Sequence, residues 1–336
     1  MTSDGRQMEE TPYDVAVVGG GPVGLYAALR AALLNLRVHV LDKGRKWSRG
    51  FRVPSYHNFP TYLEGISGKE VISRLRSQLA LHRDLATIDD FVIVERIRKN
   101  GKGFRLEGTH HPTGSKRQYA SKAVVLATGV VDKQPMIGGK LETIFPYANK
   151  GLICYCEICD GHLARGKDVA VFGSSRKAAL TALDILYFDA RNVSVLTNGK
   201  EIFEGEKLSP KDRRGLLSKL SSKNIGVFTE EIASLFGVEE NFLGVKLLGG
   251  RELRFDISFS ALGMYKINND LAVMLGGATD EEGYVLVDDD CRVLDAKGKP
   301  ITGLYAIGDV NQNWNQVMAG FGDADRAVIH AWSAYL

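Results

Sequence analysis

The chain has 336 residues, 44% hydrophobic and 25% charged, enough to bury two ordinary cores. Its 43 basic and 40 acidic side chains leave a net charge of +3, too slight a bias to make the surface as a whole a nucleic-acid binder. No run approaches the roughly 18 apolar residues of a membrane span, and the 37 glycines follow no repeat, which excludes collagen-like and low-complexity readings.

The opening segment MTSDGRQMEETP is polar and reads as a disordered lead-in without the regions of a signal peptide. The cytoplasm is the expected compartment, and there Cys154, Cys156, Cys159 and Cys291 stay reduced unless they cycle catalytically. Residues 13–29, YDVAVVGGGPVGLYAAL, give a short apolar run, a glycine cluster and an apolar pattern at helical spacing, the signature of strand, tight turn and helix. Gly19 permits the turn, Gly21 admits a pyrophosphate, Pro22 opens the helix and Gly24 lets it pack on the strand. RVHVLDKG then supplies a second strand ending in Asp42, an acid placed for the ribose hydroxyls. Two basic runs, Lys43, Arg45, Lys46, Arg49 and Arg52, and later Lys211, Arg213 and Arg214, read as solvated faces, with an acidic partner protein as the sharper alternative.

Farther on, AVVLATG forms an apolar strand closed at Thr128 and Gly129, and GLYAIGDV ends in Gly308 and Asp309, an acid suited to the ribityl hydroxyls of a flavin dinucleotide. Between them, ICYCEICDGHL holds Cys156 and Cys159 at a spacing that one turn can close into a disulfide. A helix start there lowers the thiolate pKa, and Asp160 supplies a general acid and base. A zinc site on Cys156, Cys159 and His162 lacks a fourth ligand, and no other metal site is expected; simple burial of the cysteines is the remaining alternative, to which Cys154 and Cys291 are assigned.

In this order GGGPVG, HNFP, EGISGKE, AVVLATG, YCEICDG, RGKDVAVFG, GYVLVD, YAIGDV and NQVMAG span almost the whole chain after residue 12, and with them the sequence resembles the low-molecular-weight thioredoxin reductase family. The resemblance implies an α/β fold of two three-layer, Rossmann-like domains, one inserted in the other: an FAD domain over 1–133 plus 263–336 and a central domain over 134–262, with linkers near 130–136 and 262–266. It implies that Asn58 and Thr128 line the FAD, Asp309 holds its ribityl chain, and Gln316, followed by Val317, sits near the pyrimidine end. By the same resemblance Cys159 faces the flavin, Cys156 attacks a protein disulfide such as thioredoxin, Asp160 is the acid, and the chain is a homodimer whose central domain rotates.

One departure matters. KDVAVFGSSRKAALTALDIL repeats strand, turn and helix, but the family's GxGxxA reads Gly173, Ser175 and Ala178, so the middle glycine is lost. Thr197, Asn198 and Gly199 stand where a His-Arg-Arg cluster would grip the 2′-phosphate of NADPH, contacts that Thr and Asn do not replace. Arg176 and Lys177 keep some attraction for an anion, which leaves ordinary NADPH use as the alternative. The favoured expectation is a different donor, an acidic ferredoxin, as in the ferredoxin-dependent branch of the family, docking on the basic run 43–52. Trp314 and Tyr265 offer a stacking face for a second flavin or other flat ligand, set against simple packing. A dithiol oxidase using oxygen and a flavin-bound redox sensor are the competing functions.

Overall fold

The computed structural model describes residues 12–311 and 314–335; the lead-in 1–11 and Gln312 and Asn313 of NQNWNQ lie outside them. The chain forms two compact units, one of residues 1–52, 67–130 and 267–336 and the other of residues 53–66 and 131–266.

In the first unit the short, β-branched runs become strands because both faces are covered, which favours continuous apolar segments over alternation. Tyr13–Val18, Val38–Asp42 and Ala86–Asp90 lie side by side and parallel, and Ser115–Leu126 and Pro300–Ala306 continue the sheet on the other side of Tyr13–Val18. The helices Pro22–Leu33 and Gly68–Ala80 make the crossovers. Gly68–Ala80 starts at Ser67, whose hydroxyl accepts from the Glu70 N–H at 3.2 Å, and it buries Val71, Ile72, Leu75 and Leu79 at helical spacing. An antiparallel meander of Val92–Asn100, Gly103–His110 and Ser115–Leu126 connects the halves, and Val317–Tyr335 packs against Pro22–Leu33. The core includes Val18, Leu41, Phe104, Leu126, Leu304 and Val310.

The second unit carries a parallel sheet in the order Gly226–Phe228, Asn192–Leu196, Asp168–Phe172, Ile257–Ser260 and Ile153–Cys154. Arg176–Ile185 and Pro210–Ser222 flank it, and Ile232–Phe236, Leu243–Leu247 and Glu252–Phe255 add an antiparallel layer. Val130–Asp132 and Met264–Ile267, where the chain crosses between units, pair as a two-stranded sheet. No helix among the described residues is long and apolar enough to cross a membrane.

Candidate active site

The strand order of the first unit collects its turns at one edge. Tyr13–Val18, Ser115–Leu126 and Pro300–Ala306 are adjacent and parallel, so Gly19–Gly21, Thr128–Gly129 and Gly308–Asp309 leave the sheet at the same carboxyl end, with Asp42 ending the next strand. Gly19 has φ +114°, and a Cβ there would lie 2.3 Å from the Ala127 carbonyl oxygen; a Cβ on Gly24 would lie 2.0 Å from that of Gly19. The turn is therefore closed to any side chain. Gly21 caps helix Pro22–Leu33 without a side-chain acceptor, so no side chain claims the first-turn N–H groups, as phosphate binding requires.

Asp42 is 5% exposed, and its Oδ1 accepts from Gly20 N–H at 3.0 Å. Burial pushes this carboxyl above its ordinary range, against the lowering effect of the Gly20 and Gly44 amides. Its Oδ2 has no hydrogen-bond partner, and the nearest cation is Arg76 Nη2 at 3.7 Å. A buried, orphaned acceptor beside a helix start with no side-chain cap fits the adenosine ribose and pyrophosphate of a dinucleotide. Thr128 is locked to Asn268 by reciprocal bonds of 2.7 and 2.9 Å. Asp309 accepts from Arg49 Nη1 at 3.1 Å. Gln316 ends the loop before Val317–Tyr335, its carbonyl accepting from Gly320 N–H at 2.9 Å. Asn58 is exposed and lies on the segment 53–66 of the second unit.

Arg49 thus faces the cradle instead of serving the basic run. Arg52 bonds the Lys46 carbonyl at 3.0 Å, and Lys43 lies 4.1 Å over the Trp47 ring, which leaves Lys43, Arg45, Lys46 and Trp47 exposed together.

The redox turn is built at the edge of the second unit's sheet. Ile153–Cys154 is held there by Ser258, whose N–H and hydroxyl both donate to the Leu152 carbonyl at 2.8 Å, and the chain then turns into Cys156. A disulfide joins Cys156 to Cys159, with Cα atoms 5.3 Å apart. The helix that follows, Glu157–Asp160, is only four residues long, too short for the dipole effect expected from the sequence. The local donor is instead the Cys159 N–H, 3.1 Å from Cys156 Sγ, which stabilises charge on that sulfur directly. Cys154 is a buried free thiol; burial pushes it well up, and the Asp160 carboxyl within hydrogen-bonding reach adds to the rise. Tyr155 hydrogen-bonds Gln134, and His162 meets His57 of HNFP, ring centroids 5.1 Å apart. Sequence reasoning missed the Cys154–Asp160, Tyr155–Gln134 and His57–His162 pairs; the last joins two motifs already singled out, but no spacing rule links them. Among the described residues no cluster of three or more His, Cys, Asp or Glu is set to hold a metal.

The second glycine turn differs from the first. Gly173 has φ +147°, but Ser175 caps helix Arg176–Ile185 with its own hydroxyl, which accepts from Ala178 N–H at 3.4 Å. Ser174 accepts from the N–H of Phe203 at 2.5 Å, and Phe203 is 1% exposed within the unit's core. Arg213 donates to the Ile202 and Phe203 carbonyls at 3.1 and 2.9 Å, fastening the loop in place. Thr197 turns its hydroxyl to the Lys200 and Phe228 carbonyls, and Asn198 spends its side chain on the Met136 carbonyl and Ile232 N–H. Trp314 and Tyr265 each stand 77% exposed.

Residues 13–324 match the family described as pyridine nucleotide-disulphide oxidoreductase, and the chain belongs to that family. Within it the chain is thioredoxin reductase-like, a flavin-dependent disulfide oxidoreductase of the low-molecular-weight class. It is 27% identical to the thioredoxin reductase of Treponema pallidum (strain Nichols) over 97% of this chain and 98% of that protein. With the thioredoxin reductase of Bacillus subtilis (strain 168) it shares 25% identity over 95% and 93% of the two chains. The fold is that of the thioredoxin reductase from Streptococcus pyogenes MGAS5005, with TM-score 0.78, 24% identity, and 96% and 99% of the chains covered.

Proposed function

We propose that the protein draws electrons from a donor other than NADPH, a ferredoxin being favoured, and passes them through FAD to Cys156–Cys159 and on to a protein disulfide such as that of thioredoxin. The observation that carries the donor assignment is the closed second turn. Ser175 takes the first-turn amide that a phosphate would use, and Phe203 is bonded to the adjoining carbonyl, whereas the first turn has neither obstruction. No arginine or histidine stands at 197–199 for a 2′-phosphate. Lys43, Arg45 and Lys46, exposed beside Trp47, are the docking patch proposed for the acidic donor.

Gly19, Gly21, Pro22 and Gly24 would cradle the pyrophosphate of FAD, Asp42 Oδ2 would accept from its ribose, and Thr128, Gly129, Gly308, Asp309, Gln316 and Val317 would line the rest. Bound there, FAD would supply the conversion between a one-electron donor and the two-electron chemistry of a disulfide. Two electrons and two protons convert the Cys156–Cys159 disulfide to two thiols. Cys156, as thiolate, attacks the substrate disulfide and displaces one of its sulfurs; Cys159 then attacks Cys156, releasing the second sulfur and re-forming the disulfide. Asp160, beside the buried thiol of Cys154, delivers the proton to a leaving thiolate. In this reading the working form is a cytoplasmic homodimer, and no second flavin is required.

Anaerobic flavin absorbance tests the donor. Excess NADPH and NADH are expected to leave the flavin oxidised, and photoreduced ferredoxin to bleach it. Rapid bleaching by NADPH overturns the assignment and returns an ordinary NADPH-dependent reductase; oxygen uptake driven by a dithiol alone returns an oxidase.

A further inference from the structure

The loop bearing Gly308 and Asp309 is held by one buried carboxylate, and nothing in the sequence motifs points to it. Asp323 lies on helix Val317–Tyr335 and is 0% exposed. Its Oδ2 accepts from Gly308 N–H at 3.2 Å and from Asn311 Nδ2 at 3.1 Å, and its Oδ1 from Arg326 Nη2 at 2.6 Å. Asn311, also 0% exposed, gives a second bond to the Ala306 carbonyl at 3.1 Å, which ends the strand. The thiol of Cys291, itself buried, is within hydrogen-bonding reach of Asp323 and Arg326. One carboxylate therefore joins the end of a strand, the turn after it and the helix that follows.

The chemistry of the surroundings requires an acid. Gly308 N–H, the Asn311 amide, the Arg326 guanidinium and the Cys291 thiol all offer hydrogens, so both oxygens must accept. An asparagine turns an NH2 toward one of these donors and leaves that donor unmatched in a buried site. Burying a charge is costly, and a loop needing only support would be served by a neutral contact.

What the carboxylate fixes is the height of the turn above the first helix. Gly308 has φ +68°, and a Cβ there would lie 3.3 Å from Val23 Cγ1, so the turn lies against the start of Pro22–Leu33. Asp309, next in the chain, is the acid assigned to the ribityl hydroxyls. We infer that Asp323 is a positioning residue for the flavin, setting Asp309 at the distance from the Gly21 turn that FAD must span. The inference rests on the FAD reading of the first glycine turn.

Titration of apoprotein with FAD, followed by flavin fluorescence and visible circular dichroism, tests it with two variants. Asp323→Asn is expected to weaken FAD roughly tenfold or more and to alter the dichroism of the flavin that still binds. Arg326→Gln leaves both bonds to Oδ2 and is expected to bind FAD within about threefold of wild type despite some loss of thermal stability. If D323N does not fold, Asn311→Ala removes one donor from Oδ2 and should weaken FAD where R326Q does not. FAD affinity in D323N equal to wild type, or falling in all variants in proportion to their melting temperatures, overturns the inference. A wild-type chain that binds no FAD removes the flavin reading and this inference with it; tight wild-type binding with no effect of D323N removes the inference alone.

Discussion

One substitution, glycine to alanine within a helix, should have opposite effects at two positions. Gly24 and Gly215 are both helical, and an alanine at either gains about 1 kcal/mol of helix propensity. At Gly215 an added Cβ meets nothing within 4 Å, so the gain stands alone. At Gly24 the new Cβ would lie 2.0 Å from the Gly19 carbonyl oxygen and 3.0 Å from Ala127 Cβ. Reaching an ordinary contact of about 3.4 Å moves the helix off the strand by more than about 1 Å, and overpacking of this kind costs about 3 kcal/mol where the neighbour is backbone. The net loss is about 2 kcal/mol, or roughly 5 °C in the melting temperature of a unit this size, against a rise of about 3 °C for Gly215→Ala. Differential scanning fluorimetry of the apoproteins reads the sign, and FAD titration of Gly24→Ala should show binding lost with the turn. A Gly24→Ala protein that melts at or above wild type and still binds FAD would refute the steric account.

Other consequences are as direct. After reduction of the disulfide, a native alkylation pulse followed by mass spectrometry should label Cys156 and Cys159 and spare Cys154 and Cys291, which are 6% and 1% exposed, the latter with its thiol pushed up to about 12; equal labelling of all four contradicts the burial. Phe203→Ala should cost about 3 to 5 kcal/mol in urea unfolding, and a loss below about 1 kcal/mol would mean the loop is not part of the core. Because the folded protein raises the Asp42 pKa, the ligand-free fold holds this proton more tightly than the unfolded chain. That contribution is complete below 3.8 and is lost as pH rises through the folded value. Asp42→Asn should remove that segment of the stability profile, so the melting temperature of the variant relative to wild type climbs over the same window; a pH-independent difference would dismiss the assignment.

What was legible in the sequence was what depends on near neighbours. Gly19, Gly21 and Gly24 are spaced by the turn they make, and Cys156 and Cys159 by the disulfide they close, so both features could be read residue by residue. The absence of a glycine at Ser175 was equally plain, but the bond from the Phe203 N–H to the Ser174 carbonyl was not, because that contact depends on the path of a loop beyond the next strand. Asp323 was invisible for the same reason: its partners Gly308 and Asn311 lie in a different element, and an acid within an amphipathic helix ordinarily reads as surface. Arg49 reads in sequence as one of a basic run, whereas its geometry turns it to Asp309. The helix dipole expected at Cys156 does not build up, since sequence signals a helix start better than it signals that the helix stops after one turn.

The Phe203 loop also bears on how this molecule can change. Restoring glycine at Ser175 would clear the helix cap, yet Phe203 would remain bonded to Ser174 and sunk among Val169, Val171 and Ala178. Withdrawing Phe203 first would open a void in a core that has closed around it. On the proposed reading, a nucleotide site engineered at the second turn therefore needs the loop around Phe203 changed together with Ser175, not Ser175 alone.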